Sequence, residues 1–168
     1  MQVKITKHNG GIYTLSSTEK INTTIDLAWD FFSNPRNLNK LTPPGLNFKI
    51  TSGDSNTFYQ GKIITYSIRL LLFLKFNWTT EISNIKKGKY FIDKQLFGPY
   101  KLWHHEHHFT KNDDGTVTMV DKVKYKLYMY PISKIIHKLF VKKELLKIFN
   151  YRKKMIHDIF PKNDRKNI

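Results

Sequence analysis

The chain has 168 residues, a formal net charge of +16 and no cysteine, so disulfides and thiolate metal sites are excluded. This length suits one domain with a hydrophobic core of its own. The longest apolar run, residues 70–74 between Arg69 and Lys75, is far shorter than the about 20 residues of a membrane-spanning helix.

The charge distribution and the first residues of the chain bear on its location and on its possible partners. The start, MQVKI, lacks the apolar core of a secretory signal, so a cytoplasmic location is expected. Lysines occur in every segment, which favours a solvated surface. No arginine-rich or RNP-like motif occurs, so nucleic acid is not an expected partner. An anionic membrane surface stays an open alternative.

One strand and two short helices are predicted first. Residues 13–21 favour a strand, because alternate positions share one face. Thr24 or Asp26 can cap a short helix at residues 27–33. A second short helix starts at Pro35 and ends before the Pro-Pro-Gly sequence at 43–45.

Six more strands are predicted at close spacing. They cover residues 46–52, 62–71, 76–85, 90–97, 100–111 and 116–128. Short turns that contain Gly88, Gly98 or Gly115 join several of them. Such short connections predict an antiparallel meander rather than parallel units with crossover helices.

Residues 131–160 predict one long amphipathic helix, followed by a charged tail that is expected to fray. We expect its apolar stripe to pack on the concave side of the sheet and to leave space there. The stripe consists of Ile132, Ile135, Ile136, Leu139, Phe140, Leu146, Phe149, Ile156 and Phe160. The prediction is thus one α+β domain, residues 1–168, with a core at about 13–160 and a curved antiparallel sheet of about seven strands.

Several local strings resemble the SRPBCC superfamily, which includes START, polyketide-cyclase and Bet v 1-like proteins with the helix-grip fold. These strings are FSNPRNLNKLTP at 32–43, FIDKQLFGPY at 91–100, WHHEHHF at 103–109 and DKVKY at 121–125. They look like a bacterial branch labelled cyclase/dehydrase-like or cell-division-inhibitor-like. The resemblance implies the fold over most of the chain. It does not select a function, because this superfamily includes lipid carriers, receptors, cyclases and hydrolases.

Strand alternation predicts which side chains face the space under the helix. Aromatic neighbours assign Trp103 and His105 to that side, while His104, Glu106 and His108 point outward as surface residues. With three adjacent strands paired, the predicted ligand-binding residues are Phe91, Asp93, Gln95, Trp103, His105, His107, Phe109, Asp121 and Tyr125.

Three interpretations of this polar cluster stay open. It can be a satisfied network that pins the sheet, a recognition patch in an apolar pocket, or a metal or acid–base site. For catalysis the candidates are His105, His107, Asp93 and Asp121. No third histidine shares the inner face, so no metal is predicted, and no cofactor motif occurs.

The favoured function is binding of an apolar small molecule or lipid in a cavity of several hundred Å³. One alternative is a cyclase-, dehydrase- or isomerase-type enzyme with a His–Asp pair. Another is a peripheral membrane or protein-interaction module that uses the basic side of the last helix, on which Arg152 can pair with Asp30 or Asp121. Such a module would also use a membrane-contacting or lid-like tip formed by Leu70, Leu71, Leu72, Phe73 and Leu74. The oligomeric state is not predicted.

Overall fold

The computed structural model describes residues 3–70 and 74–161. Within these residues one curved antiparallel sheet has eight strands in the order β1-β2-β8-β7-β6-β5-β4-β3. The strands are β1 (Lys4–Lys7), β2 (Ile12–Ile21), β3 (Lys49–Ser52), β4 (Ile63–Leu70), β5 (Leu74–Lys86), β6 (Tyr90–Phe97), β7 (Leu102–Lys111) and β8 (Val117–Lys126). The predicted fold class is confirmed.

Strand β1 is the one that the sequence pattern missed. It pairs with β2 at one edge of the sheet, with Lys4 opposite Ser16 and Lys7 opposite Tyr13. The strand is four residues long and mostly exposed. Too few alternating apolar residues mark it, so the predicted number of about seven strands was one too low.

Two short helical segments follow β2, as predicted. Helix α1 spans Ile25–Phe32, and the Thr24 side chain caps it by accepting a hydrogen bond from the Leu27 amide. A 3₁₀ turn at Pro35–Asn37 leads into α2, Leu38–Leu41. Such a cap satisfies one of the amide groups that a helix start leaves unpaired.

The C-terminal helix is interrupted by a wider turn. It comprises α3 (Ser133–Ile136), a π-helical segment (His137–Val141) and α4 (Lys142–Ile159). A π-helical turn contains more residues than an α-helical turn. The residues of this helix that face the sheet are therefore almost all four positions apart. The buried positions are Ser133, His137, Val141, Leu145, Phe149, Arg152 and Ile156.

The predicted apolar stripe is therefore wrong in its first half. Five of its members lie on the surface, between 40% and 64% exposed: Ile132, Ile135, Ile136, Leu139 and Phe140. The ring of His137 takes the inner position instead and stacks on Tyr13 with centroids 3.6 Å apart. Its Nε2 also lies 2.8 Å from the Tyr125 hydroxyl. These contacts fix the rotation of the helix and turn the isoleucines outward.

Two hydrophobic clusters lie between the helices and the sheet. One includes Trp78, Tyr100 and Phe149 under the start of α4. The other includes Trp29 of α1 with Phe91 and Phe109 of the sheet. No helix among the described residues has the length and apolar character to cross a lipid bilayer.

Candidate functional site

A cavity of about 170 Å³ lies where the two hydrophobic clusters meet. Strands β4 to β7 form its floor, α4 covers it, and the segment that contains α2 closes one side. The cavity is smaller than the several hundred Å³ expected. Large rings occupy the space, since Trp78 and Trp103 lie 5.0 Å apart and Tyr100 lies 4.7 Å from Trp103, measured between ring centroids.

Five of the nine residues predicted to bind a ligand line this cavity: Phe91, Asp93, Trp103, His105 and His107. The other four do not line it: Gln95, Phe109, Asp121 and Tyr125. The inward orientation of the two histidines follows from strand alternation, as expected. The four remaining side chains have other partners, which account for their positions.

Gln95 holds the turn between β6 and β7. Its Nε2 donates to the Tyr100 carbonyl at 2.5 Å, and its Oε1 accepts from the Tyr100 amide at 3.3 Å. The pairing of β6 with β7 ends at Lys94, so Gln95 lies beyond the ladder and satisfies the backbone of the turn instead.

Phe109 and Tyr125 lie beside the cavity rather than in its wall. Phe109 packs against Trp29 and Phe32, with centroid distances of 5.9 and 5.6 Å. Tyr125 is fully buried, and its hydroxyl meets His137. Both residues hold helices against the sheet.

The inward polar residues form one connected cluster because of the strand register. Asp93 pairs with His105 across β6 and β7, and His107 pairs with Asp121 across β7 and β8. Asp93 Oδ2 lies 3.0 Å from His107 Nε2 and 3.5 Å from His105 Nδ1. Asp121 Oδ1 lies 2.8 Å from His107 Nδ1 and 3.1 Å from His105 Nε2. Each imidazole therefore bridges two carboxylates.

Arg152 of α4 completes the cluster from above. Its Nε lies 3.1 Å from Asp121 Oδ2, and its Nη2 donates to Asp121 Oδ1 at 3.4 Å. Of the two carboxylates considered as partners for Arg152, the structure thus places Asp121 beside it. Arg152 and Asp121 are both buried, so this ion pair joins the helix to the sheet in a poorly solvated place.

The two histidines differ in their affinity for a proton. Burial lowers the pKa of His107, but the hydrogen bonds to Asp121 and Asp93 outweigh burial and raise it. Burial and the nearby His107 lower the pKa of His105. Burial raises the pKa of Asp121, yet Arg152 and the imidazoles outweigh it and hold that pKa well below its usual range. With His107 protonated and His105 neutral, the charges of the cluster cancel.

Three polar residues of β4 and β5 form the opposite wall, and sequence analysis missed them. The Thr80 hydroxyl donates to Tyr66 Oη at 3.3 Å. The indole Nε1–H of buried Trp78 has no hydrogen-bond partner among the described residues. Extending the alternation rule to residues 62–71 and 76–85 would have identified this wall.

One metal-type donor set occurs among the described residues. Asp93, His105 and His107 each offer a ligand atom, and these atoms all lie within 4.8 Å of one another. On the opposite face of β7, Glu106 lies 3.3 Å from His104 Nε2 and 2.8 Å from His108 Nε2. That outer group is partly exposed, as predicted for surface residues.

The predicted tip at residues 70–74 is described only at its two ends. Leu70 is buried and lines the cavity, whereas Leu74 is 60% exposed. Leu71, Leu72 and Phe73 lie outside the described residues. A lid or membrane contact at this tip remains a prediction for those three residues.

Comparison with known proteins identifies the fold. No family model and no curated sequence matches the chain. Protein Ms6760 from Mycobacterium smegmatis superposes with a TM-score of 0.65 at 15% identity, covering 94% of this chain and 96% of its own. A START superfamily protein from the same organism has a TM-score of 0.65 at 7% identity, covering 87% and 98%.

A plant protein has the same architecture. Major latex-like protein 151 from Panax ginseng has a TM-score of 0.61 at 12% identity, covering 90% of this chain and 99% of its own. Identities this low show the fold alone. The helix-grip fold expected from the resemblance to the SRPBCC superfamily is confirmed.

Proposed function

We propose that this chain binds a small, mainly apolar molecule with one hydroxyl or carbonyl group in the cavity between β4–β7 and α4. The observation that carries the proposal is a cavity walled by aromatic side chains with one concentrated polar patch. Small-molecule sites commonly combine apolar walls with a few well-placed polar groups.

The volume limits the size of the ligand. A dry cavity of roughly 150 Å³ accommodates one benzene ring, so about 170 Å³ suits one or two rings. A lipid with a long chain would have to leave part of that chain outside the cavity. A compact ring compound is therefore the favoured class.

The cavity wall offers both a donor and an acceptor to such a ligand. The indole N–H of Trp78 has no partner within the described part of the chain, and leaving a buried donor unpaired costs about 1–3 kcal/mol. Asp93 keeps a partly exposed carboxylate at the cavity, next to neutral His105. A ligand hydroxyl can donate to Asp93 directly, whereas a ligand oxygen can accept from Trp78 only after a side-chain movement exposes the buried Nε1 atom.

Binding of 1-naphthol and naphthalene, measured by isothermal titration, tests the proposal. We expect 1-naphthol to bind about 3- to 10-fold more tightly, because one added hydrogen bond contributes about 0.5–1.5 kcal/mol. Ile148→Phe should block both ligands, since Ile148 lines the cavity. Leu146→Phe is the matched control on α4, because Leu146 is also half-buried but does not line it. Equal binding by the two variants would refute the proposal.

A second candidate function, contact with an anionic membrane, is favoured by the outward side of the C-terminal helix. We call Ile132, Ile135, Ile136, Leu139 and Phe140 the α3 face. Residues 122–143 contain seven lysines and no acidic residue. Exposed apolar side chains among lysines are typical of helices that lie in a bilayer interface.

Co-sedimentation with vesicles checks the membrane candidate. Binding to phosphatidylserine-containing vesicles should exceed binding to phosphatidylcholine vesicles and should weaken in high salt. Ile135→Ser/Leu139→Ser should weaken it further. Leu27→Ser is the control, since Leu27 is similarly exposed on α1. Equal effects of the two variants would count against a specific role of the α3 face.

An acid–base enzyme is the remaining candidate. His105 is neutral, lines the cavity and lies between two carboxylates, which suits a general base. For any substrate identified in the cavity, His105→Gln should lower kcat at least about 100-fold. Full turnover by this variant would exclude His105 as the base.

A further inference from the structure

We infer that Asp93, His105 and His107 form a binding site for a divalent transition-metal ion of the Zn²⁺ or Fe²⁺ class, open to the cavity. The donors are two imidazole nitrogens and one carboxylate oxygen, a set that suits both ions. A metal ion can bind here whether or not an organic ligand enters the cavity.

Two of the three distances between donor atoms are close to those around a shared ion, and the third is no longer than 4.8 Å. With bonds of about 2.0–2.1 Å, two ligands of a tetrahedral ion lie about 3.3 Å apart. Asp93 Oδ2 lies 3.0 Å from His107 Nε2 and 3.5 Å from His105 Nδ1. Small side-chain rotations would therefore suffice to centre an ion among the three atoms.

The other nitrogen of each histidine already has the partner that metal-bound histidines require. His105 Nε2 and His107 Nδ1 lie 3.1 and 2.8 Å from Asp121 Oδ1. A carboxylate behind a ligating imidazole orients the ring and strengthens it as a ligand. Arg152 holds Asp121 in turn.

The charges permit a divalent ion at this place. With both imidazoles neutral, Asp93, Asp121 and Arg152 leave one net negative charge. To reach this state the metal-free cluster releases the extra proton of His107, from Nε2, to solvent. The bound divalent ion then leaves one net positive charge, which a hydroxide or an anionic ligand oxygen can offset.

The ion would keep at least one free coordination position toward the cavity. All three donors line the cavity, whereas Asp121 does not. A site with three protein ligands and an open position is the arrangement of catalytic zinc centres. The outer His104–Glu106–His108 group is the rival donor set, and it must be removed to test the inner one.

Titration of the full chain with Zn²⁺, and with Co²⁺ as a spectroscopic probe, tests the inference. The protein is first treated with a chelator, and no organic ligand is added. His104→Ala/His108→Ala should keep one tight equivalent of Zn²⁺ and the visible absorption of Co²⁺. Asp93→Asn should weaken Zn²⁺ at least 100-fold, and Asp121→Asn about 10- to 100-fold. Loss of binding in the outer variant, or its retention in Asp93→Asn, would overturn the inference.

A measurement on the unaltered chain keeps the test independent of variant folding. Long-range ¹H–¹⁵N spectra of the histidine rings, recorded with and without Zn²⁺, should shift His105 Nδ1 and His107 Nε2. Shifts confined to His104 and His108 would show an adventitious surface ion and would overturn the inner site. Because the probe is the metal alone, failure to bind 1-naphthol leaves this result unaffected.

Discussion

Asp121 Oδ1 lies 2.8 Å from Nδ1 of His107, on paired positions of neighbouring strands in the interior of the protein. The same carboxylate faces Arg152, so Asp121 contacts two cationic groups, while Asp93 supplies the second negative charge of the cluster. Asp121 therefore links the sheet to the C-terminal helix through charge.

Removing that carboxylate should strongly destabilise the fold. Asp121→Asn leaves Arg152 and His107 buried with too little negative charge. Breaking a buried ion pair from one side costs about 3–5 kcal/mol, and urea unfolding followed by circular dichroism measures this loss. The double variant Asp121→Asn/Arg152→Met should be less destabilised than the single variant. Additive losses would show that the two residues do not interact.

Burial of His137 should make stability depend on pH. Burial, aided by Lys142 and Lys7, lowers its pKa from 6.5 to about 4. Above pH 6.5 the imidazole is neutral in both the folded and the unfolded chain, so burial of the ring does not lower the free energy of unfolding at these pH values. Between pH 6.5 and 4 the unfolded chain binds more protons, so the free energy of unfolding falls as pH drops, by at most about 3 kcal/mol.

His137→Gln isolates this contribution, because its side chain can still hydrogen-bond Tyr125 but does not titrate. Urea unfolding at several pH values between 7 and 4 should show a steeper loss for the unaltered chain than for the variant. Parallel curves would mean that His137 titrates normally in the folded protein.

Substitutions along the C-terminal helix should separate the outward side from the buried one. Ile135→Ser and Leu139→Ser should change the free energy of unfolding by less than about 0.5 kcal/mol, since both side chains are exposed. Leu145→Ala should cost about 2–5 kcal/mol, because Leu145 is only 3% exposed. Thermal unfolding of the three variants measures these changes in stability. A large loss of stability in Ile135→Ser would contradict the observed rotation of the helix.

Strand positions were predictable from the sequence because their period of two leaves only two choices. Once Trp103 was assigned inward, His105 and His107 had to follow it. Asp93 on the paired strand then came within reach of both imidazoles. Gln95 lies in β6 but beyond the end of its pairing with β7, so its side chain binds the backbone of the following turn and does not line the cavity.

The rotation of the helix was not predictable from its apolar pattern. Hydrophobicity alone turns Ile135 and Leu139 inward, but contacts of His137 with Tyr13 and Tyr125 decide the outcome. The contact between His137 and Tyr13 joins residues more than a hundred positions apart, so local spacing in the helix gives no sign of it. The π-helical turn also has no clear signal in the sequence. The spacing of the apolar residues therefore could not show that the buried side of the helix shifts at this turn.

Lys62 should control how firmly one cavity wall is held. This lysine is only 2% exposed, and its Nζ donates to the carbonyls of Ser55 and Thr57 at 2.6 and 2.5 Å. Phe58, which directly follows Thr57 in the chain, lines the cavity and packs on Phe91. Lys62→Met keeps the aliphatic stem but removes the charged hydrogen bonds, each of which stabilises by about 1.5–3 kcal/mol.

The wall should then open more often, so 1-naphthol should dissociate several-fold faster from Lys62→Met while its association rate changes little. Stopped-flow fluorescence of Trp78 and Trp103, which line the cavity, measures both rates. Lys86→Met is the control, because Lys86 is exposed at the end of β5.

Since the Ser55–Phe58 segment touches the cavity only through Phe58, Phe58→Ala should accelerate dissociation similarly, and combining it with Lys62→Met should add little. Fully additive effects would show that Lys62 acts elsewhere than on this wall.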